Sequence, residues 1–327
     1  MATIALWGAN GAIGKTVANE LRAQGRAYRV VGRDRAALER AFGADPLAEI
    51  VTWNPDDPAS IVEAARGIET LVYLVGVDYT QNALHPILMR ATLDGAIAAG
   101  VTNLLLVGTV YPYGLRRTPI VREDHPREPH TFKGRMRKAQ EDLVLEADRA
   151  GKIRACVLRL PDFYGPGVDA KSYIGQLFTN GIAGKTATLI GPIDVEHEFV
   201  YVPDVGPVIA RLIDEPRAFG RVWHLGGAGT TTQRAIVERI ERATGRKIKL
   251  LVANKTMLRV LGLVSPLMRE FIEMNYLMTE PVIMDDTAIH ALLGPIHKTS
   301  YDDGVRKTLE AATGRQAVTA LREDGRR

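Results

Sequence analysis

The stretch Gly8-Ala9-Asn10-Gly11-Ala12-Ile13-Gly14 decides the fold, because it stands between the apolar run Thr3 to Trp7 and a helical pattern from Ile13 to Gln24. Strand, glycine turn and helix in that order open a βαβ unit, and each glycine has its own task. Gly8 allows the tight turn, Gly11 lets the backbone approach a pyrophosphate, and Gly14 lets the helix pack closely on the strand. Phosphates then rest on the positive end of the helix, with Asn10 and Ile13 of the same loop beside them. The overlapping run Ala9 to Thr16, ending Gly14-Lys15-Thr16, comes close to the Walker A pattern of a phosphate-loop NTPase. It has Ala9 where that pattern requires glycine.

Candidate strands recur beyond the loop at Arg29 to Gly32, Ile50 to Trp53, Thr70 to Val75, Asn103 to Gly108 and Arg154 to Arg159. All are continuous apolar runs, as strands covered on both faces should be. Helical patterns fill the gaps at Arg35 to Phe42, Pro58 to Arg66, Ala83 to Ala99 and Lys133 to Ala150. The alternation predicts an α/β protein whose residues 1–165 form a doubly wound parallel-sheet Rossmann domain. After Gly165-Pro166-Gly167 the pattern loosens into β-like pieces at Ala187 to Ile190 and Glu198 to Val202, with helical stretches at Val205 to Ile213 and Thr232 to Thr244. Residues 166–193 and 231–315 are expected to form a smaller C-terminal α+β substrate lobe, and about 194–230 to return to the first domain. Residues 316–327 read as a frayed polar tail. Met257 to Met278, rich in Leu, Met and Val and broken by Pro266, reads as core packing or a substrate lid.

Composition narrows the function classes. A chain of 327 residues, 46% hydrophobic and 24% charged, buries a large core and is not globally disordered. Its one cysteine, Cys156, excludes a disulfide framework and a cysteine-based zinc site, suits a reducing compartment, and reads as a packing residue. The histidines are scattered without metal-ligand spacing, so no metal is assigned. A net charge of +4 without long like-charge runs predicts neither a nucleic-acid nor a membrane partner. No window of about 18 apolar residues and no secretory pattern at Met1 to Trp7 are visible, so a cytoplasmic location is expected.

The choice of dinucleotide is read at the end of the second strand, Val30-Val31-Gly32-Arg33-Asp34-Arg35. Arginine accommodates the 2′-phosphate of NADP, whereas an acidic residue bridges the ribose hydroxyls of NAD. Arg33 and Arg35 favour NADP, and Asp34 keeps NAD as the alternative.

Together with four later segments, the glycine loop resembles the short-chain dehydrogenase/reductase superfamily in its extended NAD(P)-dependent epimerase/dehydratase branch, over most of the chain. Asn54-Pro55-Asp56-Asp57 sits where that family has an acidic residue at the adenine, here Asn54. Gly108-Thr109-Val110-Tyr111-Pro112-Tyr113-Gly114 resembles its Ser-Ser…Tyr-Gly segment and puts Thr109 at the catalytic Ser or Thr. Arg159-Leu160-Pro161-Asp162-Phe163-Tyr164-Gly165-Pro166-Gly167 resembles the Arg-Pro…Tyr-Gly-Pro-Gly turn, which borders cofactor and substrate. That likeness assigns Pro161 to the cofactor and Tyr164 to the substrate. Glu198 to Val205 resembles the Arg-Phe-Val-His-Val-Asp-Asp-Val segment of the substrate lobe, with His197 preceding it towards the substrate. Val75, closing the fourth strand, joins the implied cofactor contacts. The resemblance also implies a homodimer through the helices Ala83 to Ala99 and Lys133 to Ala150.

The family's Tyr-x-x-x-Lys pair is absent. Counting back from Glu141 puts Lys133 at the tyrosine position and Arg137 at the lysine position; counting forward from Thr109 gives Gly134 and Lys138. The run Lys133 to Glu141 is similar to that of the isoflavone reductase-like, NmrA-type members, in which a lysine is general base or substrate polariser. The resemblance therefore implies Lys133 as the proton-transfer group and a cofactor ligand, with Thr109 hydrogen-bonding the reacting oxygen. The other reading of Lys133 to Lys138 is a solvated basic helix start, or a segment that only binds cofactor phosphate and ribose. Tyr113 is a second catalytic candidate, and Tyr111 stands on the substrate side, both at the end of the fifth strand. Three functions follow. The first is an NADP-dependent oxidoreductase acting on a small organic carbonyl or enone. The second is a nucleotide-sugar epimerase or dehydratase, which the lost tyrosine disfavours. The third is a catalytically silent NmrA-like dinucleotide sensor with a protein partner.

Overall fold

The computed structural model describes residues 2–168, 172, 174–180, 182–254, 256–258, 263, 270 and 272–324, and side chains no further than 314. Seven parallel strands make the central sheet: β1 (Ile4–Trp7), β2 (Tyr28–Gly32), β3 (Ala48–Thr52), β4 (Thr70–Tyr73), β5 (Asn103–Thr109), β6 (Arg154–Leu160) and β10 (Arg221–His224). Their order is β10-β6-β5-β4-β1-β2-β3. The chain winds outward from β1 to one edge, then returns to β4 and winds to the other. The strand order thus reverses between β1 and β4, where ligands of such sheets bind.

The helices between these strands are α1 (Ala12–Ala23), α2 (Arg35–Phe42), α3 (Pro58–Ala65), α4 (Leu84–Ala98) and α5 (Phe132–Arg149). Several carry the polar residue that starts them. Asp34 accepts from the Ala37 N–H at 3.0 Å, Asp57 from Ala59 at 3.0 Å just before Pro58, and Thr131 from Gly134 at 3.1 Å. Each satisfies a helix N–H that has no partner within the helix, worth about 1 kcal/mol. Two apolar layers sandwich the sheet. Val17 and Leu21 of α1 pack with Val205 and Ile209 of α7 (Val202–Ile213) on one face. Ile61, Met89, Leu93 and Val144 pack from α3, α4 and α5 on the other. Gly206 of α7 lies against the backbone of Thr16, where a Cβ would come within 2.5 Å of a carbonyl oxygen.

Directly after β6 the chain leaves this sheet. Leu160 still pairs with Thr109, and two residues later Asp162 opens β7 (Asp162–Tyr164), paired with Phe199 of β9 (Glu196–Tyr201). Antiparallel β11 (Thr230–Thr232) completes this three-stranded sheet. Two more strands, β8 (Ala187–Ile190) and β12 (Leu250–Ala253), pair in parallel. Short α6 (Gly175–Thr179) and longer α8 (Gln233–Thr244) pack there, and helices Tyr276–Thr279, Thr287–Leu293 and Tyr301–Asp324 follow. A doubly wound α/β architecture is therefore present as expected.

Two expectations need correction or limits. Residues 316–324, read as a frayed tail, continue the backbone of the last helix. Pro266 and most of its neighbours lie outside the described residues. Of the Met257 to Met278 segment, Leu258, Met274, Leu277 and Met278 are buried in a cluster with Tyr113 and Val121. No described helix is long and apolar enough to cross a membrane.

Candidate active site

A cavity of about 540 Å³ opens at the C-terminal ends of β1, β2, β4, β5 and β6, across the point of strand-order reversal. Gly8, Asn10, Gly11, Ile13 and Gly14 form its floor. Gly8 has φ +90°, and a Cβ there would meet the Val75 backbone nitrogen at 2.8 Å. At Gly14 a Cβ would lie 2.4 Å from the Ala9 carbonyl oxygen. Gly11 differs, since a Cβ there meets only the Gly8 oxygen at 3.7 Å and otherwise points into open space. Gly11 is also the N-cap of α1, which has neither a capping side chain nor an acidic residue in its first turn. An anion is thus invited where the backbone is bare, and the residues present fit the phosphates of a dinucleotide.

Arg33 stands in the wall at the end of β2. Arg35 does not, because it points away and pairs with Glu39 at 2.8 Å on the surface of α2. Asp34 is in the wall but its carboxylate caps α2. Asn54, expected at the adenine, lies outside the wall and folds its Oδ1 onto the Asp56 N–H at 3.0 Å. Trp53, packed edge-on to Trp7 at 5.4 Å, lines the cavity in its place. Lys15, which the Walker reading needs at a phosphate, is exposed and off the wall.

At the far end stand Val75, Thr109, Tyr111, Pro161 and two residues not chosen from the sequence, Arg137 and Asp162. Arg137 donates to His85 Nδ1 at 3.0 Å. Burial, aided by Arg137, pushes that imidazole down to about 2, so it is neutral and accepts. Burial likewise draws the Arg137 guanidinium below its usual range, with Glu141 opposing. Burial raises the Tyr111 phenol well above its ordinary value, helped by Tyr79 and Asp162. Asp162 is pushed up to about 7 by burial.

The remaining sequence candidates lie elsewhere. Lys133 is fully buried outside the cavity wall. Its ammonium is held by Glu270 and by Glu273, the latter at 3.0 Å, and lies over the Tyr79 ring at 4.9 Å. A side chain so paired is neither a solvated helix start nor a group facing the cavity. Tyr113 is buried too, its hydroxyl between Arg159 Nη1 and His224 Nε2. Arg159 in turn makes a two-pronged ion pair with buried Glu141, at 3.0 and 2.6 Å. Burial raises the Tyr113 phenol to about 12, with Arg159 opposing, so it is a neutral core group. Tyr164 stacks between Phe178 and Tyr301 beside a separate 230 Å³ cavity. His197 stacks on Phe199, and burial takes it down to about 4. Among the described residues no cluster of His, Cys, Asp and Glu suits a metal.

A family model described as "NAD dependent epimerase/dehydratase family" matches residues 4–226. The dTDP-6-deoxy-L-talose 4-dehydrogenase (NAD(P)(+)) of Kitasatospora kifunensis is 28% identical over 258 residues, 75% of this chain and 80% of that one. The 2′-dehydrokanamycin reductase of Streptomyces kanamyceticus is 28% identical over 229 residues, 66% of this chain and 65% of its own. Among solved structures, UDP-glucuronic acid 4-epimerase from Bacillus cereus, in complex with UDP-glucuronic acid and NAD, superposes with a TM-score of 0.79 at 18% identity, covering 95% of this chain and 99% of that one. The dTDP-glucose 4,6-dehydratase of Streptomyces venezuelae, with NAD bound, gives 0.78 at 19% identity, covering 96% and 98%. At these identities the two structures speak for the fold.

Proposed function

Because the chain belongs to the NAD dependent epimerase/dehydratase family, we propose that it is an oxidoreductase that uses a nicotinamide dinucleotide, NADPH in preference to NADH, to interconvert a carbonyl and an alcohol on a small sugar-like substrate. One observation carries this reading: a single cavity joins the bare phosphate cradle at Gly11, the Arg33 side chain, and a polar end at Thr109 and Tyr111. The curated relatives support the reaction class, being named for a dehydrogenase and a reductase activity.

A bound nicotinamide supplies or accepts a hydride. The chain does the rest. The glycine loop and the first amides of α1 hold the phosphates, and Arg33 holds the 2′-phosphate. Arg137 takes the ribose-holding part that lysine has in the family's pair. Thr109 hydrogen-bonds the reacting oxygen, and Lys133 braces the helix start through Glu270 and Glu273. Oxidoreduction of a nucleotide-linked sugar is the nearest variant, favoured by the dTDP-sugar relative. The working enzyme is a homodimer through α4, whose Ile87 is 59% exposed, and α5, and acts in the cytoplasm, where the thiol of buried Cys156 stays reduced.

Fluorescence titration with NADPH and NADH tests the reading, followed by NADPH oxidation with dTDP-4-keto-6-deoxyglucose and a panel of free keto sugars. Micromolar NADPH binding and turnover of at least one ketone are expected. A protein that binds neither dinucleotide removes the reading. Binding without turnover of any ketone favours the silent sensor.

A further inference from the structure

We infer that Asp162 is the residue that carries the proton between the reacting oxygen and water, the task left open by the absent tyrosine. The inference rests on the oxidoreductase reading above.

The chain passes from the seven-stranded sheet to the three-stranded one between Leu160 and Asp162, and Pro161 fixes the crossing. Asp162 and Thr109 both line the cavity, and Asp162 follows two residues after Leu160, the strand neighbour of Thr109. Among the described residues, no hydrogen bond or ion pair engages its carboxyl group. Asp162 is half-buried, whereas the buried carboxylates are held: Glu141 by Arg159, and Glu198 by the Met284 and Gly227 N–H groups, both at 3.1 Å. A carboxyl left without protein partners on a cavity wall costs stability and is free to meet a ligand.

Elimination leads to the same residue. Among the described residues, the wall carries five ordinarily titratable side chains, Arg33, Asp34, Tyr111, Arg137 and Asp162. Guanidinium groups do not release protons at working pH. Asp34 lies at the end of β2 and caps α2. Tyr111 is held as a phenol by burial. Lys133, already engaged by two carboxylates, stands off the wall. Of these described residues, Asp162 is left. The groups facing it are Tyr111 in the turn after β5, Tyr276 on a late helix, and the Arg137 guanidinium from α5 across the cavity. A carboxyl pushed to about 7 by burial is matched to proton transfer near neutrality.

In reduction, the Asp162 carboxylic acid gives its proton to a carbonyl oxygen while the carbonyl carbon receives hydride, the two-electron donor being reduced nicotinamide dinucleotide. The C=O π bond breaks, one C–H and one O–H bond form, and the dinucleotide is left oxidised. Water then reprotonates the carboxylate. In alcohol oxidation the carboxylate takes the hydroxyl proton.

The test compares the wild-type protein with Asp162→Asn. Its first readout needs no substrate: the dissociation constants of NADP⁺ and NADPH between pH 5 and 9. Oxidised nicotinamide is cationic and reduced nicotinamide is not, so ionisation of a carboxylate at that end favours NADP⁺. The affinity ratio of NADP⁺ to NADPH should rise about tenfold through pH 7 in the wild type and stay flat in Asp162→Asn. The second readout is NADPH-dependent reduction of 9,10-phenanthrenequinone and dTDP-4-keto-6-deoxyglucose. The variant should lose about a hundredfold in kcat with NADPH affinity retained, and the wild-type rate should fall above pH 7. A wild-type ratio that is flat, or that rises equally in the variant, overturns the inference even if neither ketone reacts. So does a variant that reduces ketone at the wild-type rate. Failure of the wild type to bind either dinucleotide instead removes the oxidoreductase reading itself, and the inference with it.

Discussion

Lys133 and Arg137 stand one turn apart on α5, yet Lys133 is closed in by Glu270 and Glu273 while Arg137 reaches the cavity wall and donates to neutral His85 at 3.0 Å. Two cations at helical spacing are thereby given different work, one bracing the chain and one facing the ligand.

This division predicts opposite phenotypes. Lys133→Met strands two partly exposed carboxylates and should cost about 2 kcal/mol of stability, with NADPH affinity kept. Arg137→Met should leave the melting temperature near wild type and weaken NADPH binding about tenfold or more. Denaturant melts and fluorescence titrations on both variants check this. A stable Lys133→Met protein without turnover would return the lysine to the chemistry.

The two arginines after β2 should separate as cleanly. Arg33→Ala is expected to lose about tenfold in NADPH affinity and little in NADH affinity, because only the 2′-phosphate loses its partner. Arg35→Ala breaks a surface pair with Glu39 and should change neither. Equal effects on both coenzymes in Arg33→Ala would remove the phosphate assignment.

Gly8 and Gly11 distinguish folding from binding. Gly8→Ala forces a side chain into positive φ against the Val75 backbone and should destabilise the protein by about 2 kcal/mol or more. Gly11→Ala meets open space and should melt within about 0.5 kcal/mol of wild type, yet bind NADPH poorly because its methyl fills the cradle. Intact binding in Gly11→Ala would place the phosphates elsewhere.

Asp162 should lower the stability of the empty protein in a pH-dependent way. Its folded-state carboxyl is raised to about 7, so the folded state resists the charged form. The resulting cost is absent below the unfolded value near pH 4, grows as pH rises from 4 to 7, and is complete above 7. Asp162→Asn is therefore expected to stabilise the protein by about 2 kcal/mol at pH 8 and by nothing at pH 4. Urea midpoints at the two pH values provide the check, and a pH-independent difference would contradict the burial argument.

The Arg159–Glu141 pair lies at the heart of the α5–β6 packing, and its members are 1% exposed each. Glu141→Leu leaves a buried guanidinium without its carboxylate and should cost about 3–5 kcal/mol. Chemical denaturation of that variant, compared with Arg35→Ala, measures the contrast between a buried and a surface pair.

Much of this was legible in the chain itself. The glycine loop and the apolar runs located β1 to β6 within about two residues, because strands covered on both faces, as all of these but the edge strand β3 are, must be continuously apolar and the turns between them have fixed chemistry. The count back from Glu141 puts Arg137 at the lysine position, so the sequence carries a signal for its place in the cavity wall. No local pattern in the Arg159 to Gly167 turn singles out Asp162, because its place depends on the passage from one sheet to the next.

What the sequence alone determined, then, is the doubly wound sheet and the phosphate cradle, both products of short-range patterns: period, turn and cap. Tertiary structure alone decided which polar side chains face the cavity. Glu270 and Glu273 arrive from far along the chain to neutralise Lys133, and His224 and Arg159 enclose Tyr113. Whether a side chain is free to act depends on the groups that fold against it, and no local pattern of residues encodes those.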